Sequence, residues 1–135
     1  MRVIDYKTGN THNRFSSIDT LFLSDTVKQN PAVLQILFYA WLFKKNYTGN
    51  PVAIMPGIIN SKAIFKHPFD PRLFIKDEGS HTYTPIHNIA DYKYSLEKNI
   101  RKVLKEIFDV TIPFSQTEVI QNCKNCPYKD ICQRS

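Results

Sequence analysis

With 135 residues and a hydrophobic fraction of 42%, the chain has room for one domain with a modest core, and its aromatic content argues against disorder. A net charge of +6 suits a polyanionic partner, although basic proteins are common and charge alone names no function. The longest apolar stretch, 36–43, is too short to cross a bilayer, the opening residues are no signal peptide, and three cysteines near the C-terminus are no secreted disulfide framework, so the expectation is a cytoplasmic protein with free thiols or a metal site.

Residues 3–9 (Val-Ile-Asp-Tyr-Lys-Thr-Gly) read as a strand closed by a turn. Side chains alternate across a strand, so Val3, Asp5 and Lys7 face one way while Ile4, Tyr6 and Thr8 face the other. A carboxylate and an ammonium then emerge side by side. Asp5 can hold a hard divalent cation, and Lys7 can steady a phosphate or an attacking water. An isolated D-x-K tripeptide is more often a salt bridge at a strand end; the apolar lead-in, the glycine stop and the helix that follows favour the chemical reading.

Residues 10–29 are polar, with Phe15, Ile18, Leu21, Phe22 and Leu23 expected to cover part of the core without a long regular element. Asn30 can cap the next helix, with Pro31 at its first position. That helix is expected over 30–46. Its run from Ala32 to Phe43 is apolar nearly all round, which predicts burial between layers. Gln35 and Tyr39 stand at i and i+4 and share one face. By themselves they fit a core Tyr and a Gln bonded to nearby backbone.

Residues 52–59 read as a second strand, where Pro56-Gly57 implies an edge position, a bulge or an early stop. The stretch 60–87 reads as a hairpin or irregular insertion, with a turn at 76–79. A second helix is expected over 89–108, with Ile89, Tyr92, Leu96, Ile100, Val103, Leu104 and Ile107 as its apolar stripe and a lysine- and arginine-rich face outside it. His12, His67, His81 and His87 show no ligand spacing and read as structural. Cys123-x-x-Cys126 with Cys132 has credible metal-ligand spacing, but three thiolates do not close a tetrahedral site.

Taken in order, Asp5-Tyr6-Lys7-Thr8-Gly9, then Gln35-x-x-x-Tyr39, then Cys123-x-x-Cys126-Pro127-Tyr128 and Cys132 resemble the PD-(D/E)xK nucleases of the RecB, AddB and Cas4 type. The resemblance implies an α/β fold: a partial restriction-endonuclease-like core, a mixed sheet with flanking helices, and a cysteine-containing C-terminal tail over 109–135. It implies metal-dependent DNA cleavage of exonuclease type within a recombination or repair enzyme. Asp5 would bind Mg²⁺ or Mn²⁺ with the backbone carbonyl of Tyr6, Lys7 and Gln35 would be catalytic, and Tyr39 would lie along the substrate groove. Cys123, Cys126 and Cys132 would hold a 4Fe–4S cluster or zinc in a longer parent, with DNA and a helicase subunit or domain as partners and no membrane association.

Similar nucleases carry an acidic residue on a strand before the D-x-K strand and a further upstream cysteine; here only Met1 and Arg2 precede it. The expectation is therefore one truncated domain over 1–135, a poor nuclease alone. It would self-associate through the edge at 3–7 or at 52–59, or cover that edge with 10–29. Two alternatives stand beside it: a non-catalytic nucleic-acid-binding or scaffolding module, and a small thiolate-zinc domain that leaves Asp5, Lys7 and Gln35 without a role.

Overall fold

The computed structural model describes residues 1–23, 29–50, 52–65 and 68–133; His67 lies outside the described residues. The fold is α/β, with two small sheets and two helices. Strand β1 (Arg2–Lys7) pairs in parallel with β3 (Met55–Asn60), placing Val3 opposite Pro56, Asp5 opposite Ile58 and Lys7 opposite Asn60. Parallel neighbours need a crossover, and helix α1 (Pro31–Asn46) lies within it, packed on the sheet. Asn30 starts this helix by accepting a hydrogen bond from the Val33 N–H at 3.2 Å, and Pro31 occupies the first turn, where a missing N–H costs nothing.

Val33, Ile36, Leu37 and Ala40 of α1 are buried with Ile54 and Ile58, and with Phe15, Ile18 and Leu21 from the polar stretch. The opposite face of α1 is not covered: Phe38, Tyr39 and Phe43 are exposed, which corrects the expectation of a helix buried between layers. The reason is the width of the sheet. A pair of strands covers one stripe of a helix, and α1 carries more apolar surface than that stripe absorbs.

The second strand begins at Met55 rather than Val52, and Pro56-Gly57 sits inside it without breaking the pairing with β1. Met55 N donates to Met1 O and Ser61 N to Lys7 O, both at 2.9 Å, so odd-numbered residues of β3 face β1. Pro56 therefore turns its missing N–H the other way. There its carbonyl accepts from Leu73 N at 3.4 Å, and Ile58 N donates to Pro71 O at 2.7 Å. Gly57 is required by this close approach: a Cβ would lie 2.8 Å from both the Ile4 Cδ1 and the Pro71 carbonyl oxygen. An Asp70–Arg72 pair, Nη2 to Oδ2 at 2.6 Å, and Asn13 Nδ2 donating to the Asp70 and Arg72 carbonyls at 2.9 and 2.7 Å brace that segment.

The second sheet has the order β2 (Arg14–Phe15), β4 (Phe74–Lys76), β5 (Tyr83–Pro85), with the last two forming the expected hairpin. Gly79 takes φ +68° in the hairpin turn, and Asp77 accepts hydrogen bonds from the Thr82 and Thr84 hydroxyls. Within the described part of stretch 10–29, Arg14–Phe15 thus pairs in this sheet and not with β1. Among the described residues, no strand pairs with the outer edge of β1.

Helix α2 (Lys93–Phe108) follows a 3-10 turn at Ile89–Tyr92. Ile89 and Leu96 are buried and Tyr92 and Ile100 pack on the core, but Leu104, Ile107 and Phe108 run past it into solvent. The C-terminal tail forms a short 3-10 turn at Ile120–Cys123 and exposes Val110, Phe114 and Ile131. No helix among the described residues is long and apolar enough to cross a membrane.

Two outcomes test this packing. Gly57→Ala should lower stability by about 1–3 kcal/mol in chemical denaturation, because the added carbon meets backbone on one side; an unchanged midpoint would contradict the close approach. The Arg72 guanidinium, hydrogen-bonded to Asp70, holds that carboxyl below its usual value. A group with a depressed folded pKa contributes stability above its unfolded value, near 3.8, and loses it as pH falls through the folded one. The stability gap between the native chain and Asp70→Asn should therefore be open at neutral pH and close below about pH 4.

Candidate active site

The end of β1 and the first turns of α1 meet over one face of the sheet. Lys7 Nζ lies 2.9 Å from Asp5 Oδ2, as two residues on one strand face must allow. From the helix, Gln35 brings its Oε1 to 2.6 Å of the same ammonium and accepts its hydrogen bond. The Gln35 Nε2 then donates to the Tyr39 hydroxyl one turn on, at 2.8 Å. Asp5, Lys7, Gln35 and Tyr39 thus form one continuous polar chain, running from a half-buried carboxylate to a phenol that is 46% exposed.

Lys7 and Asp5 side chains are 27% and 20% exposed. Asp5 Oδ2 itself is buried, and among the described residues its charged neighbour is the Lys7 ammonium. A buried carboxylate oxygen in that condition has unspent capacity for a cation. Tyr6 shows the complementary feature. Odd-numbered residues of β1 bond to β3, so the Tyr6 carbonyl points to the open edge of the strand, and its side chain is 74% exposed on the opposite sheet face. A carboxylate oxygen and a carbonyl with no strand partner among the described residues fit a hard divalent cation that keeps most of its water.

The cysteines behave differently. Cys123, Cys126 and Cys132 are free, half-buried thiols, and among the described residues no three His, Cys, Asp or Glu side chains gather as a metal site.

Three asparagines that carried no functional signal in the sequence shape the rim of the site. Asn60, opposite Lys7 in the register, donates from Nδ2 to Thr11 O at 2.8 Å and to Gly9 O at 3.4 Å. Asn30 caps α1 with its oxygen while its Nδ2 reaches His12 O at 3.0 Å. Asn13 anchors the same loop to residues 70–72. Only Asn30 was legible beforehand, and only as a helix cap.

The family model of the PD-(D/E)XK nuclease superfamily matches residues 1–133, and the chain belongs to this superfamily. No curated protein and no solved structure matches the chain. Superfamily members typically use a divalent metal, and membership implies a phosphodiesterase acting on nucleic acid.

The Lys7 contacts should show as coupling. Lys7→Met strands a partly buried carboxylate and an amide oxygen, and should cost about 1–3 kcal/mol in denaturant unfolding. Adding Asp5→Asn should return part of that loss, a non-additivity readable from a double-mutant cycle. Strict additivity would mean that the two side chains do not interact.

Proposed function

We propose that this chain hydrolyses phosphodiester bonds in DNA with Mg²⁺ or Mn²⁺, as the nuclease part of a recombination or repair exonuclease of the RecB, AddB and Cas4 type. The observation that carries this reading is the convergence of Asp5 and Gln35 on the Lys7 ammonium. When bound by Asp5 and the Tyr6 carbonyl, the cation would neutralise charge on the phosphoryl oxygens and acidify the attacking water.

The chain's own residues do the rest. An ammonium has three donors; one goes to Gln35 and one side faces Asp5, which leaves Lys7 a donor for the scissile phosphate or the attacking water. Gln35 is a positioning residue: it removes rotamer freedom from a long flexible side chain, so that charge stabilisation is in place before the transition state. Tyr39 continues the polar chain outward and offers its exposed ring to the strand being cut.

The order of the motifs along the chain supports the RecB, AddB and Cas4 branch. Unpaired thiols support a cytoplasmic setting and a zinc or iron–sulfur role for Cys123, Cys126 and Cys132 completed by a ligand from elsewhere. A helicase partner and self-association through the open β1 edge belong to the same reading. One observation favours a DNA-binding module without chemistry: among the described residues Asp5 is the single carboxylate of the cluster, and Mg²⁺ gives up its waters reluctantly.

Turnover is therefore expected to be slow, with weak Mn²⁺ binding that is lost in Asp5→Ala. Cleavage of an end-labelled oligonucleotide should fall roughly a hundredfold or more in Asp5→Ala and Lys7→Ala, and roughly tenfold in kcat with little change in KM in Gln35→Ala. Cleavage that survives Asp5→Ala would refute the assignment. Tight DNA binding without cleavage under either metal would establish the binding module instead.

A further inference from the structure

Beside Lys7 and Gln35 lies a cavity of about 440 Å³ that the catalytic cluster does not fill. Asn10, Thr11 and His12 form one wall and the start of α1, from Asn30, the other. We propose that this cavity is a second phosphate subsite, in which His12 takes the phosphate next to the scissile one. The proposal rests on the nuclease reading for its place in a reaction, but not for its chemistry.

His12 is the distinctive group. Its Nδ1 lies 3.0 Å from both Arg14 O and Asn30 Nδ2. When Nδ1 accepts from Asn30 Nδ2, the ring proton sits on Nε2; the other neutral tautomer donates from Nδ1 to Arg14 O and leaves Nε2 an acceptor. We take the tautomer that accepts from Asn30; its Nε2–H has no partner among the described residues, and the residue lines the cavity. Lys7 adds its ammonium to the same space, and the positive end of the α1 dipole adds to the field there. Donors and positive charge around the cavity favour an anion.

The loop is also built to hold still. Asn60 ties Gly9 and Thr11 to β3, Asn30 ties His12 to α1, and Asn13 ties the loop to residues 70–72. Three side chains hold a segment that would otherwise lose conformational entropy on binding, and this preorganisation lowers the cost of engaging a ligand. A flanking diester inside a strand and a monoester at a strand end offer the same phosphate oxygens, and the two are distinguished by substrate.

The test uses the full chain without added metal, so that binding is read apart from cleavage. Inorganic phosphate should shift the His12 imidazole resonances saturably in NMR. In fluorescence anisotropy, His12→Ala should weaken oligonucleotide binding roughly tenfold, the scale of one charge-assisted hydrogen bond. Asn10→Asp, which places a negative charge in the cavity, should do the same, while His12→Gln, which can still donate, should retain most of the affinity. Circular dichroism reports that each variant is folded. Tighter binding of strands with a terminal phosphate than of closed circles assigns the monoester; equal binding assigns the flanking diester, and either supports the subsite. Wild-type affinity in both His12→Ala and Asn10→Asp, or a His12 resonance that phosphate leaves unmoved, overturns it. Loss of the nuclease reading with phosphate binding intact leaves the subsite standing, so the two claims fail separately.

Discussion

The ammonium of Lys7 holds together groups that the chain delivers from opposite directions, a strand carboxylate and a helix amide, and the local architecture answers to that junction. The parallel pairing of β1 with β3 sets the face on which Asp5 and Lys7 emerge. The capped start of α1 sets where Gln35 arrives along the helix, one turn in from Asn30. Half-burial of the ion pair matters as much as its distance. In bulk water such a pair contributes little, whereas here a carboxylate oxygen is withdrawn from solvent with the ammonium as its charged neighbour.

The fold that supports this junction is small and uses its packing surfaces unevenly. One stripe of α1 and the first half of α2 bury the core, while the far side of α1, the second half of α2 and much of the tail leave large apolar side chains in water. A single stripe suffices because Val33, Ile36, Leu37 and Ala40 are fully enclosed, so the helix that carries Gln35 is fixed in place. Rigidity of that helix transmits directly to the Lys7 contact, since an amide is only as well placed as its backbone. The asparagines at 13, 30 and 60 extend the same logic to the rim, where backbone carbonyls of an irregular loop take their bonds from side chains instead of from a neighbouring strand.

Much of the site was legible from local rules. The period-2 alternation of residues 3–7 placed Asp5 and Lys7 on one face, and the i, i+4 spacing of Gln35 and Tyr39 placed them on one helix face, because both periods belong to the backbone itself. The helix start at Asn30-Pro31 follows equally from local capping chemistry. Pro56-Gly57 was misleading for the opposite reason. A proline weakens a strand only on the side where its N–H is needed, and which side that is depends on the partner strand, not on the dipeptide.

What the sequence determined alone was therefore the intrastrand and intrahelix geometry, together with membership of the superfamily over residues 1–133. What tertiary structure decided was every relation across elements: that Gln35 reaches Lys7, that Asn60 stands opposite it and holds the loop, that Arg14–Phe15 joins the second sheet, and that His12 lines the cavity beside them. Those relations rest on pairings between residues far apart in the chain, which no local period encodes. They also rest on the burial of a shared core, which sets how far α1 sits from the sheet and hence whether an amide and an ammonium can touch.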